Sequence, residues 1–138
     1  MRRCVAIALF ATACGGASMT AYKPFEQKTK HSPEALFQAS THALEAMDYQ
    51  IRTRDPTTFT IETREREIAY SSVPRLSYKY TLKIVTANGT LRITSTCQQN
   101  SAMKRQEFED CGDERPSRVL ADQEDFVKDT LKRAKKLE

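Results

Sequence analysis

A chain of 138 residues, 39% hydrophobic and 29% charged, has room for one domain with a core and is too apolar for a disordered tail. No window reaches the roughly 18 to 20 consecutive apolar residues of a membrane-spanning helix. Twenty-two basic residues against 18 acidic ones, with a pI near 8.9, point only weakly to an anionic surface or polymer.

The first residues read as an export signal. Arg2 and Arg3 make a positive start, Cys4 to Ala11 an apolar run, and Ala11-Thr12-Ala13 a small-residue cleavage site. Cleavage after Ala13 leaves Cys14 at the new N-terminus, ahead of Gly15 and Gly16. These 16 residues resemble the lipobox of bacterial lipoproteins, with Ala11 where that family usually carries Leu. The resemblance implies acylation of the Cys14 thiol and anchorage to a lipid bilayer. Under Gram-negative sorting rules, the absence of Asp at Gly15 implies the periplasmic face of the outer membrane. An ordinary signal peptidase acting at the same site would release a soluble periplasmic or secreted protein instead. Cysteine counting bears on the choice: Cys4 leaves with the signal, and acylation of Cys14 leaves Cys97 and Cys111 as a pair. Loss of Arg2 and Arg3 also lowers the basic count from 22 to 20 against 18 acids, so the mature charge is about +2.

From Gly15 to His31 there is no apolar periodicity, and the segment reads as a tether able to reach about 55 Å when extended. The expected organisation is a signal at 1–13, a lipidated N-terminus and flexible tether at 14–31, and one domain at 32–138. Ser32-Pro33-Glu34 is a helix start, with a Ser cap, Pro at the first position and an acid near the positive dipole end. Leu36, Phe37, Ser40, Ala43, Leu44 and Met47 form one stripe, and the helix should end near Asp48, which tolerates left-handed backbone. His31 and His42 have no second ligand at metal-binding spacing, so both read as solvated or partly packed.

Two hairpins follow. Tyr49, Ile51 and Thr53 alternate inward, as do Phe59, Ile61 and Thr63, around an Asp55-Pro56-Thr57 turn. A three-residue loop there sets Arg54 opposite Thr58 and Ile51 opposite Ile61. Residues 65–75 keep no phase. Either the second strand continues through a bulge to about Tyr70 or the segment is an irregular connection, and the irregular reading is preferred. Leu76, Tyr78, Tyr80, Leu82 and Ile84 then alternate with polar residues, and Leu91 and Ile93 resume after Asn88-Gly89. Asn-Gly favours the type I′ turn, which needs positive φ at both central residues. With that loop Ile84 meets Ile93, Leu82 meets Ser95 and Tyr80 meets Cys97, placing the apolar sets on one face.

Gln98 to Arg115 is polar and without steady period. A disulfide joining Cys97 to Cys111 closes a 15-residue span and should contribute about 3 kcal/mol in the chain-entropy model. From about Ser117 a second helix runs nearly to the end, with Leu120, Gln123, Val127, Leu131 and Ala134 on one side, broadened by Phe126 and Leu137. Its early acids and late lysines suit the helix dipole. The basic end could also touch anionic lipid.

The predicted fold is α+β, a two-layer α-β-β-β-β-α unit with a four-stranded antiparallel meander and both helices on one face. Its element order is loosely similar to helix-grip domains of outer-membrane assembly lipoproteins. The opposite sheet face would show Arg52, Arg54, Arg64, Lys79, Lys83 and Arg92 with one acid, Glu62, and threonines between. That is a candidate surface for an envelope protein or an anionic envelope polymer, and equally the composition of a solvated strand face.

There is no Gly-rich phosphate loop, H-E-x-x-H, C-x-x-C or G-x-S-x-G. No cofactor, metal, nucleic-acid partner or catalytic residue is expected. The reading is a non-catalytic envelope lipoprotein presenting a small binding or scaffolding domain. The alternative is a soluble module holding a small ligand between helices and sheet, and an enzyme is a remote third.

Overall fold

A computed structural model of the chain describes residues 23–69, 77–100, 108–111 and 116–138. Along them run β1 (Phe25–Lys28), α1 (Pro33–Ala46), β2 (Ile51–Asp55), β3 (Thr60–Thr63), β4 (Arg66–Ala69), β5 (Ser77–Val85), β6 (Thr90–Asn100), β7 (Phe108–Asp110) and α2 (Ser117–Leu137). The signal segment 1–13, Cys14 and Leu76 lie outside the described residues. None of the helices described is long and apolar enough to cross a membrane.

The strands form one antiparallel sheet in the order β1-β6-β5-β3-β2, with β4 also on β5 and β7 also on β6. The expected α+β class and antiparallel sheet are present. The four-stranded meander is not, because three short strands add to it.

The central hairpin has the predicted register, with Ile84 opposite Ile93, Leu82 opposite Ser95 and Tyr80 opposite Cys97. Asn88 and Gly89 take φ of 59° and 69°, the left-handed pair that the turn requires. Gly89 is needed twice over, since a Cβ there would lie 2.9 Å from the His31 carbonyl oxygen.

The other hairpin differs from expectation. Arg54 faces Ile61 and Ile51 faces Thr63, with an irregularity between Ile51 and Thr53. The Asp55 carboxylate accepts from the Thr57 amide and from the Thr57 and Thr58 hydroxyls. This Asx-type turn lengthens the loop to Phe59, which itself takes φ of 52°. The shift turns Thr53 outward, where it is exposed, and puts Arg54 on the helix face.

The preferred irregular reading of 65–75 is also corrected where the chain is described. β4 pairs with the lower half of β5 while β3 pairs with the upper half. At the break, the Thr63 hydroxyl accepts from the Leu82 amide at 2.9 Å, filling the place of a missing ladder bond. Tyr70, Val73 and Pro74 lie outside the described residues.

The tether ends earlier than expected. Phe25 to Lys28 pair with Ile93 to Thr90 of β6, so the folded unit includes β1. Part of the polar 98–115 stretch is strand as well, with β6 reaching Asn100 and β7 pairing with its last residues.

Helix α1 is capped as read. The Ser32 hydroxyl accepts from the Ala35 amide at 3.1 Å and Pro33 opens the helix. At its end Asp48 has φ of 59°, while the Tyr49 amide bonds to the Leu44 carbonyl and the Asp48 amide to the Glu45 carbonyl. That pair of bonds is a Schellman closure with Asp in the position usually held by glycine.

Helix α2 spans the predicted residues but is rolled from the predicted stripe. Val119, Asp122, Gln123, Phe126, Val127, Thr130 and Ala134 are buried, whereas Leu120 and Leu137 stand 39% and 46% exposed. Ala39 and Ala134, both fully buried, let the two helices approach closely. The helices and the inner sheet face share one core, which includes Phe37, Leu44, Ile61, Tyr80, Ile84 and Phe126.

Candidate functional site

Of the predicted site residues, Cys14 lies outside the described part of the chain, and Cys97 and Cys111 are joined in a disulfide with Cα atoms 5.6 Å apart. Cys97 sits inward on β6 and Cys111 just beyond β7, so the bridge ties that short edge strand to the sheet centre. Reduction should lower the unfolding free energy by about 3 kcal/mol, measured by urea denaturation with and without reductant. Ready alkylation of both thiols in non-reduced exported protein would refute the bridge.

The six basic residues do not form one uncompensated face. Arg54 lies on the other side, its guanidinium 5.4 Å from the Phe37 ring centroid. Lys79, Lys83 and Arg92 each meet a carboxylate, from Glu65 at 3.5 Å, Glu62 at 3.4 Å and Glu26 at 3.3 Å. Two of those acids, Glu26 and Glu65, lie in segments read as tether and irregular connection. Arg52 falls at the β2 irregularity and Arg64 between β3 and β4, both exposed.

Sequence reasoning missed a polar cluster inside the molecule. Tyr80, fully buried in mid-β5, donates its hydroxyl to Asp122 Oδ2 of α2 at 2.5 Å. The Tyr49 hydroxyl lies 3.0 Å from that of Tyr80. Since Tyr80 has one proton and gives it to Asp122, Tyr49 is the donor to Tyr80. Arg66 stacks over the Tyr49 ring at 4.5 Å and bonds the Met47 carbonyl at 2.8 Å. On the rim, Arg118 reaches within 3.6 Å of Asp122. Burial raises the pKa of both tyrosine hydroxyls, far more for Tyr80, where the bond to Asp122 adds to the shift. Neither phenol is therefore available as a base near neutrality.

This chain of hydrogen bonds sets the rotation of α2 on the sheet and explains why Asp122 is inside while Leu120 is not. Its only sequence signal was an acid in phase with Val119, Phe126 and Thr130.

Among the described residues, Tyr80, Phe126, Leu36 and Leu44 are fully buried between the helices and the sheet. Described clefts lie at the rim: one between β1 and α2 beside Phe25 and Leu120, and two flanking the end of α2. His42 is exposed, and His31 pairs its Nδ1 with Glu138 at 2.5 Å. No group of three metal-ligating side chains occurs among the described residues.

No protein-family model and no curated protein matches the chain. Solved structures resemble it in fold. A TBP-like protein from Parabacteroides distasonis superposes with a TM-score of 0.54 at 11% identity, over 85% of this chain and 93% of that one. A DUF4468 family protein from Bacteroides ovatus does so at 0.52 and 13% identity, over 86% and 81%. Ara h 8.0201 follows at 0.43 and 16% identity, over 85% and 95%. At these identities the first two show a shared fold and nothing about role.

Proposed function

We propose that the protein is a non-catalytic lipoprotein of the cell envelope, held at the periplasmic face of the outer membrane by acylated Cys14 and presenting a small α+β binding or scaffolding domain. The observation that carries this reading is Cys14 itself, placed directly after an export signal and a small-residue cleavage site. The disulfide supports it: with Cys97 and Cys111 joined, Cys14 is the odd thiol of the mature chain. Stable bridges also belong to oxidising compartments. Since β1 begins at Phe25, the linker after Cys14 is shorter than the 17 residues from Gly15 to His31 and reaches at most about 35 Å. The domain would therefore stay near the bilayer surface.

Cys14→Ser should move the protein from the membrane fraction to the soluble fraction, and mass spectrometry of the wild-type N-terminus should find Cys14 acylated. Wild-type protein that is soluble and carries an unmodified Cys14 would establish the secreted alternative.

A further inference from the structure

Three of the bases expected on the sheet face are paired with carboxylates, and a denser group of lysines lies elsewhere. On one flank of the last turns of α2, a cleft brings Lys28, the last residue of β1, and Lys30 of the β1–α1 connection beside Leu131 and Lys135. On the other flank, Lys132, Lys136 and Leu137 stand with His42 of α1. Lys28, Lys30, Lys132, Lys135 and Lys136 are all exposed, and the ion pairs among the described residues involve none of them. Two acids beside this ridge are already engaged, Asp129 by Arg133 at 2.8 Å and Glu138 by His31 at 2.5 Å.

We propose that this end of the domain is a membrane-facing surface that binds anionic lipid headgroups. The helix dipole accounts for lysines in the last turn of α2, but it does not account for Lys28 and Lys30, which arrive from a segment about a hundred residues earlier. The half-charge of the α2 C-terminus opposes an anion there, and five lysines outweigh it. Leu137 selects a membrane over a soluble polyanion. It is 46% exposed among the lysines, where it can enter the acyl boundary while the lysine stems lie along the interface with their ammonium groups in the headgroup layer. The inference deepens the envelope reading, on which it rests for the bilayer the protein meets. The binding itself is independent of acylation.

The test therefore uses the full chain carrying Cys14→Ser, sedimented with vesicles of phosphatidylcholine alone or mixed with phosphatidylglycerol. Sedimentation is expected only with the anionic vesicles. A lysine at an anionic bilayer strengthens binding by roughly fivefold, so Lys28→Glu with Lys30→Glu, and separately Lys132→Glu with Lys136→Glu, should each weaken it at least tenfold. All four side chains are solvent-facing, so an unchanged cooperative melt identifies the loss as one of surface. Leu137→Ser should weaken vesicle binding and leave polyphosphate binding unaltered. Wild-type binding by the Lys28/Lys30 variant would overturn the proposal, as would an equal loss from Lys83→Glu on the sheet face. Vesicle binding that ignores Leu137→Ser and is matched by polyphosphate would assign the patch to an anionic polymer instead. Failure here would leave membrane anchorage of the wild type through Cys14 untouched, so the two readings fail separately.

Discussion

Ile84→Ala is expected to cost about 2 to 5 kcal/mol, while Lys83→Ala, one residue away, should cost less than about 0.5 kcal/mol. Ile84 lies in a cross-strand row on the helix face. It is opposite Ile93 of β6 and Ile61 of β3, Ile93 is in turn opposite Phe25 of β1, and Ile61 is opposite Arg54 of β2. Ile84, Ile61 and Ile93 are fully buried, so removing the middle one leaves a void walled by its neighbours on both sides. Lys83 points the other way, half exposed, and its pair with Glu62 at 3.4 Å is of the surface kind that contributes little. Urea denaturation of both variants makes the comparison. Similar costs at the two positions would contradict the pleat assignment of β5.

Tyr80→Phe should cost about 3 kcal/mol, although it removes a single oxygen. The substitution strips the Asp122 carboxylate, 9% exposed, of its 2.5 Å donor and leaves the Tyr49 hydroxyl without its acceptor. Buried polar groups deprived of partners are penalised more heavily than the bond was worth, the more so when one is a carboxylate. Replacing the whole chain, Tyr49→Phe with Tyr80→Phe and Asp122→Leu, should therefore cost less than Tyr80→Phe alone. Additive costs across the three positions would show that they are not coupled.

The cluster also predicts the alkaline limb of stability. Because both phenols titrate higher in the folded protein than their ordinary value of 10.0, the folded state keeps protons that the unfolded chain releases. This contribution is complete below about pH 10 and falls as pH rises beyond it, by up to about 1.4 kcal/mol per pH unit for each tyrosine. Tyr80→Phe should flatten that limb, and an unchanged alkaline slope would count against the buried network.

The central hairpin was legible because its signals are local. Asn88-Gly89 demands one turn, that turn sets the pairing, and alternation then assigns every side chain from Tyr80 to Cys97 to a face. The same holds for the start and end of α1, where Ser32, Pro33 and Asp48 act within one turn of the residues they cap. The cysteine pair followed from a count.

β1, β4 and β7 were not legible. Each is three or four residues long, too short for alternation to register, and each exists because an edge of β5 or β6 offers it unpaired backbone groups. Missing those strands had a consequence for the site, since Glu26 and Glu65 lie in or beside them, and a face read as six bases to one acid holds ion pairs instead.

By itself, the sequence determined the central antiparallel hairpin, both helices and the disulfide partners, all carried by neighbouring residues or by composition. Only the tertiary structure decided the full width of the sheet, the roll of α2 and the place where positive charge accumulates. Those depend on contacts between residues far apart in the chain, Phe25 with Ile93, Tyr80 with Asp122 and Lys28 beside Lys135. No local pattern encodes such contacts, because their free energy arises only when the core closes and brings the groups together.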